Sequence, residues 1–106
     1  MHSKLLAALL SLLAAPALAA GDPDAVRGLV ADRCADCHAI PGYSAGTPDT
    51  GLPAPAFEAM ANDPAVYTEE RVRAFLQQPH WPMTGFTLSP TDIDNILAYL
   101  ETLRQR

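Results

Sequence analysis

The chain has 106 residues, enough for one small domain and too few for two. Its twelve acidic and seven basic side chains leave a net charge of −5, with no basic patch to displace counterions from nucleic-acid phosphate. Nine of the ten prolines lie beyond residue 20, and no run of five or more residues alternates with strong β-formers, which argues against an all-β domain.

Residues 1–19 read as a cleaved signal peptide and residues 20–106 as a single domain. Lys4 and the amino terminus supply the positive end, residues 5–15 the apolar segment, and Pro16 the helix break. Ala17-Leu18-Ala19 then has the small-x-small pattern of a cleavage site. A spanning helix needs about 20 apolar residues, so the segment is too short to cross a membrane. No Cys follows the cleavage position, so no lipid anchor is expected. The mature protein is expected in the periplasm, with six Arg, no Lys, twelve acids and a charge of −6.

The first helix is expected over residues 23–33, with Asp22 as N-cap, Pro23 in the first turn and Asp24 at the positive end of the dipole. Val26, Leu29 and Val30 form its apolar stripe. Residues 39–55 read as a loop, with four Pro and three Gly. A short helical turn should carry Phe57 and Met60 and end near Asn62-Asp63-Pro64. Thr68 caps a helix over residues 69–78, which buries Val72, Phe75 and Leu76 and stops at Pro79. Residues 79–88 form a second loop. Ser89-Pro90-Thr91-Asp92 is a strong helix start, and Ile93, Ile96, Leu97, Leu100 and Leu103 follow at helical spacing. The resulting apolar core is small for the entropy of ordering such a chain. Small exported domains fill such a gap with disulfides, a metal or a cofactor.

Both cysteines fall in one run, Cys34-Ala35-Asp36-Cys37-His38. The favoured reading is a covalent haem attachment site. Two intervening residues space the thiols to meet the two haem vinyl groups, and the adjacent His38 is placed as the proximal iron ligand. A redox disulfide of the thioredoxin kind is a second reading, but it normally follows a strand, and none is expected here. A zinc site would need four ligands, and only His38 and distant His80 could complete it. A plain structural disulfide would close a tight, strained ring.

Around this motif the chain resembles the small bacterial monohaem c-type cytochromes of class I, over residues 22–104. A helix leads into the cysteine motif, a Pro-rich loop follows, then a Met-bearing loop, then a last helix with Ala98-Tyr99-Leu100. Pro79-His80-Trp81-Pro82-Met83, followed by Leu88-Ser89-Pro90, is similar to the distal loop of short bacterial members. The family often has Gly eight residues before the first cysteine, at the crossing of the first and last helices. Here Val26 holds that place and Gly stands at 28.

The iron needs a ligand opposite His38, and Met60, Met83 and His80 are the candidates. Met60 shares helical spacing with Phe57 and reads as core. Met83 lies on a loop stiffened by Pro79 and Pro82, and the resemblance also points to it; His80 is the alternative. The resemblance further implies that a loop Pro carbonyl, of Pro55 or Pro53, accepts the ring N–H of His38. Trp81 and Tyr43 are candidate donors to the haem propionates.

The expected fold is all-α and class I cytochrome c-like, with three main helices and a short helical turn packed around one covalent haem c. Cys34 and Cys37 bind the haem, and His38 and Met83 ligate its iron. The expected function is a soluble, monomeric electron carrier that is not an enzyme. It would take an electron from a dehydrogenase or membrane complex and pass it to an oxidase or reductase. The alternative is a haem subunit, peroxidase or sensor with a displaceable distal ligand. Without lysines, docking is expected to use a small apolar contact with a positively charged partner.

Overall fold

The computed structural model describes residues 21–45, 54–78 and 87–105. The expected signal peptide, Pro53, and the loop with His80, Trp81 and Met83 lie outside the described residues.

Asp22 starts the first helix, its Oδ1 accepting from the Asp24 amide at 2.9 Å, with Pro23 already helical behind it. Residues 24–34 form one helical run, α1, of uneven pitch. A tight 3-10 turn (Asp24–Val26) passes into an α-turn (Arg27–Leu29) and then a wide π-turn (Val30–Cys34). Val26, Val30 and Cys34 lie four residues apart on one face, and all three are buried.

Beyond the cysteine motif the chain makes a small hairpin, which corrects the expectation of a purely helical chain. Strand β1 (Ala39–Ile40) runs antiparallel to β2 (Ser44–Ala45), pairing Ala39 with Ala45 and Ile40 with Ser44. Pro41 and Gly42 turn the corner, Gly42 at φ +80°, and the Tyr43 amide closes the turn on the Ile40 carbonyl at 3.0 Å. Two-residue strands are too short to show alternation in a sequence.

Helix α2 (Phe57–Asn62) follows, then α3 (Glu69–Gln77) and α4 (Pro90–Thr102). Thr68 Oγ1 accepts from the Arg71 amide to cap α3. Ser89 and Asp92 exchange side-chain-to-backbone bonds in a capping box at the start of α4, with Pro90 in its first turn. No helix among the described residues is long and apolar enough to cross a membrane.

Helix α4 packs against α1, α2 and α3. Its buried Ile96, Tyr99 and Leu100 join Val26, Val30, Cys34, Ile40 and Phe57 in one apolar cluster. Arg73 ties α3 to α4 through Asp94 at 2.7 Å. Asn62 ties α2 to the chain beyond α4, donating to the Leu103 carbonyl and accepting from the Gln105 amide. Phe75 departs from expectation: it is 61 % exposed, while Val72 and Leu76 lie half-buried against the core. Helix α3 thus presents a narrower buried stripe than its sequence suggests.

The close approach of the N-terminal segment to α4 falls at Gly21. A Cβ there would sit on the Asp94 carbonyl and 2.7 Å from the Asn95 amide nitrogen, whereas one at Gly28 would meet nothing within 4 Å. The Asp22 amide locks the approach by donating to Asn95 Oδ1 at 2.8 Å. Val26, in the place where the family often has Gly, is a core residue at 1 % exposure. Gly21→Ala should therefore destabilise the protein by about 1–3 kcal/mol, the cost of overpacking a rigid backbone contact. Gly28→Ala should be neutral or stabilise by up to about 1 kcal/mol through helix propensity. Thermal unfolding of the two variants beside the parent checks the contrast.

Candidate cofactor site at the end of the first helix

The π-turn that ends α1 delivers the motif. The Ala35 amide reaches back five residues to the Val30 carbonyl at 3.1 Å, and this wide turn carries Cys34 into the core. The Cys34 carbonyl then accepts twice, from the Cys37 amide at 3.2 Å and the His38 amide at 2.9 Å. The two bonds fold the chain back, so that five consecutive residues form one compact turn.

Both thiols are free; Cys34 is buried and Cys37 half-buried. Burial pushes the Cys34 thiol up to about 11, and the neighbouring Cys37 adds to the rise. Cys34 is thus a neutral thiol near pH 7.

His38 is fixed from outside the turn. Its Nδ1 lies 2.6 Å from the Pro55 carbonyl. A carbonyl can only accept, so Nδ1 carries a proton and donates it to the bond, and Nε2 is the nitrogen left to bind a metal. Of the two candidate prolines, Pro55 thus supplies the acceptor. Two residues on, Phe57 meets the imidazole edge-on, ring centres 5.2 Å apart, and Tyr99 of α4 meets Phe57 in turn at 6.2 Å.

This donor set fits a covalently held haem. It has two free thiols with two residues between them and, beside them, an imidazole whose Nδ1–H is committed to a carbonyl, leaving Nε2 as the nitrogen that would bind. Among the described residues no three His, Cys, Asp or Glu side chains gather as a metal cluster, and His80, which the zinc reading requires, lies outside them.

Met60 packs against the core and borders a groove of about 740 Å³ between α2, α3 and α4, which Cys34, Cys37 and His38 do not line. Its placement agrees with the core role expected of it. Tyr43, a candidate propionate donor, lies beside Arg27 at the first helix. Asp24 foremost, and Tyr43 after it, raise the Arg27 pKa by hydrogen bonding.

Two neighbours of the motif escaped the sequence reading. Ser44 sends its hydroxyl to the Ala35 carbonyl at 2.6 Å and the His38 carbonyl at 2.9 Å. Phe57 reads as ordinary core, and nothing in its spacing marks the contact with His38. For Ser44 the only signal is Pro41-Gly42, a turn pair that returns the chain toward the motif.

The family model for Cytochrome c matches residues 24–104. Cytochrome c-552 of Bradyrhizobium diazoefficiens is 35% identical over 72 residues, covering 67% of this chain and 64% of that protein. The chain thus spans less than two thirds of that relative's length. No solved structure matches the chain.

Phe57 joins His38 to α4, so its loss should register in the fold and at the site. Phe57→Ala should cost about 3–5 kcal/mol of stability, and Phe57→Leu distinctly less because most of the buried volume remains. Chemical denaturation of the mature protein measures both, and equal effects would mean that packing volume at Phe57 is unimportant.

Proposed function

The chain belongs to the cytochrome c family, whose cofactor is covalent haem c, and on that premise we propose that it is a periplasmic one-electron carrier. When bound, the haem supplies an iron that gains or loses a single electron. Cys34 and Cys37 hold the group by thioether bonds, and His38 offers Nε2 as the proximal ligand. The observation that carries this reading is the His38–Pro55 hydrogen bond beside two free thiols, which presents one nitrogen in a fixed direction.

Met83 supplies the distal ligand. Met60 packs against the core, in keeping with a structural role, and Met83 and His80 are the other candidates in the sequence. In the sequence Met83 directly follows Pro82, with Pro79 three residues before that, and prolines so placed would stiffen a segment that carries a flexible thioether. A thioether favours ferrous iron, so a His/Met pair raises the reduction potential relative to two histidines. Both axial positions are then filled, leaving none for peroxide or oxygen, and electron transfer is favoured over catalysis.

The partners are redox proteins: a dehydrogenase or membrane complex as donor, and an oxidase or reductase as acceptor. With residues 1–19 removed the charge is −6, all of its cations arginine. The resulting field favours a positively charged partner.

Visible spectra of protein matured in an export-competent host test the ligand set. A weak ferric band near the red end should disappear in Met83→Ala, with a lower potential, while His80→Ala leaves both nearly unchanged. The reverse pattern would transfer the role to His80. Electron transfer to the natural partner should also slow as ionic strength rises, because salt screens attraction over about 10 Å at 0.1 M. A rate that climbs with salt would exclude a basic partner.

A further inference from the structure

The motif's backbone is held by a side chain that lies outside it. Ser44, on β2, is half-buried and places its hydroxyl 2.6 Å from the Ala35 carbonyl and 2.9 Å from the His38 carbonyl. Those carbonyls flank Cys37 on its two sides. A hydroxyl has one proton to donate, so the two carbonyls share it, and their separation is set by that common donor. The hairpin holds the donor in place: Ser44 pairs with Ile40, a core residue at 1 % exposure.

Cys34 and Cys37 depend on this contact unequally. Cys34 ends a helical turn and is anchored by burial in the core cluster at 7 % exposure. Cys37 is half-buried, and among the described residues its backbone is held in the turn by its amide hydrogen bond to the Cys34 carbonyl. We infer that Ser44 is the positioning residue for Cys37, holding the second thiol where it can close the second thioether bond. The inference rests on the proposed attachment through Cys34 and Cys37. In the step concerned, the Cys37 S–H adds across a vinyl group. A C–S bond forms, the hydrogen goes to the other vinyl carbon, and no electrons enter or leave.

Removing the hydroxyl leaves two part-buried carbonyls without this donor, and the turn around Cys37 loosens. A net hydrogen bond of about 1 kcal/mol corresponds to about a fivefold change in the population of the closed turn. Matured wild-type, Ser44→Thr, Ser44→Val and Ser44→Ala proteins are denatured, reduced so that any disulfide opens while thioethers persist, and treated with iodoacetamide, and alkylated Cys34 and Cys37 are counted by mass spectrometry. The count is a ratio within each population, so a low yield does not obscure it, and Ala supplies the comparison with less bulk than Val. In the wild type neither thiol should be alkylated; alkylation of both would overturn the attachment reading and this inference together. In Ser44→Val and Ser44→Ala, a fraction of Cys37 should become alkylated while Cys34 stays closed, and Ser44→Thr should restore closure. With the wild type fully closed, the inference alone is overturned by closed thiols in Val and Ala, by equal opening of Cys34 and Cys37, or by a Thr variant no better than Val.

Discussion

The hydrogen bond from His38 Nδ1 to the Pro55 carbonyl is the constraint on which the rest of the site depends. It joins the turn at the end of α1 to the chain that opens α2, across a stretch rich in Pro and Gly. Fixing Pro55 fixes Phe57 two residues later, and Phe57 bridges the imidazole to Tyr99 of α4. One polar contact thus sets the orientation of the ring, the start of α2 and the seat of α2 on the last helix. A carbonyl in this role also selects the tautomer. The nitrogen facing away from Pro55 is the one left to bind, a choice made by the backbone and not by any charged neighbour.

Most of the helical framework is legible in the sequence because helix ends are local. Asp22, Thr68 and the Ser89/Asp92 pair each cap a helix through atoms within three residues of one another, and all three act as their positions suggest. The cysteine motif is legible for the same reason: its chemistry lies within five consecutive residues. What could not be read is everything set by contacts between distant segments. Ser44 touches the motif only because a Pro-Gly turn reverses the chain. The close approach to α4 falls at Gly21, since its neighbours Asp94 and Asn95 are more than seventy residues away. Phe75 carries the right periodicity to be buried, yet periodicity fixes a face and not what stands opposite it.

The small core explains why α4 has so many attachments. Only nine hydrophobic residues are fully buried among those described, and four of them, Ile93, Ile96, Tyr99 and Leu100, come from this helix. The packing is reinforced at the periphery by specific polar ties: Asp22 to Asn95, Arg73 to Asp94, and Asn62 to the chain beyond the helix end. The one ion pair among them, Arg73 with Asp94, contributes little to stability by itself, and exposed hydrogen bonds add only modestly. Their value is positional, because each fixes one segment relative to α4 where few apolar contacts are available to do so. A large apolar cofactor bound at the Cys34–His38 turn would add the buried surface that this framework is short of.

The site is also built from uncharged parts. No polar or charged side chain is fully buried among the described residues. Cys34 is held as a neutral thiol by its burial, and His38 gives its proton to a carbonyl instead of a carboxylate. A carboxylate acceptor would raise the basicity of the ring and strengthen its donation to a metal, which favours the more highly charged ferric state. A neutral carbonyl leaves the imidazole an ordinary neutral donor. A thioether opposite it would push in the same direction, so both proposed axial ligands would help stabilise ferrous iron. None of the acids among the described residues is buried, so their opposing charge is screened by solvent and salt. The local chemistry of the ligands and the global charge of the chain therefore act on different events. In the proposed carrier role the first would govern how readily an electron is accepted, and the second which partner approaches to deliver it.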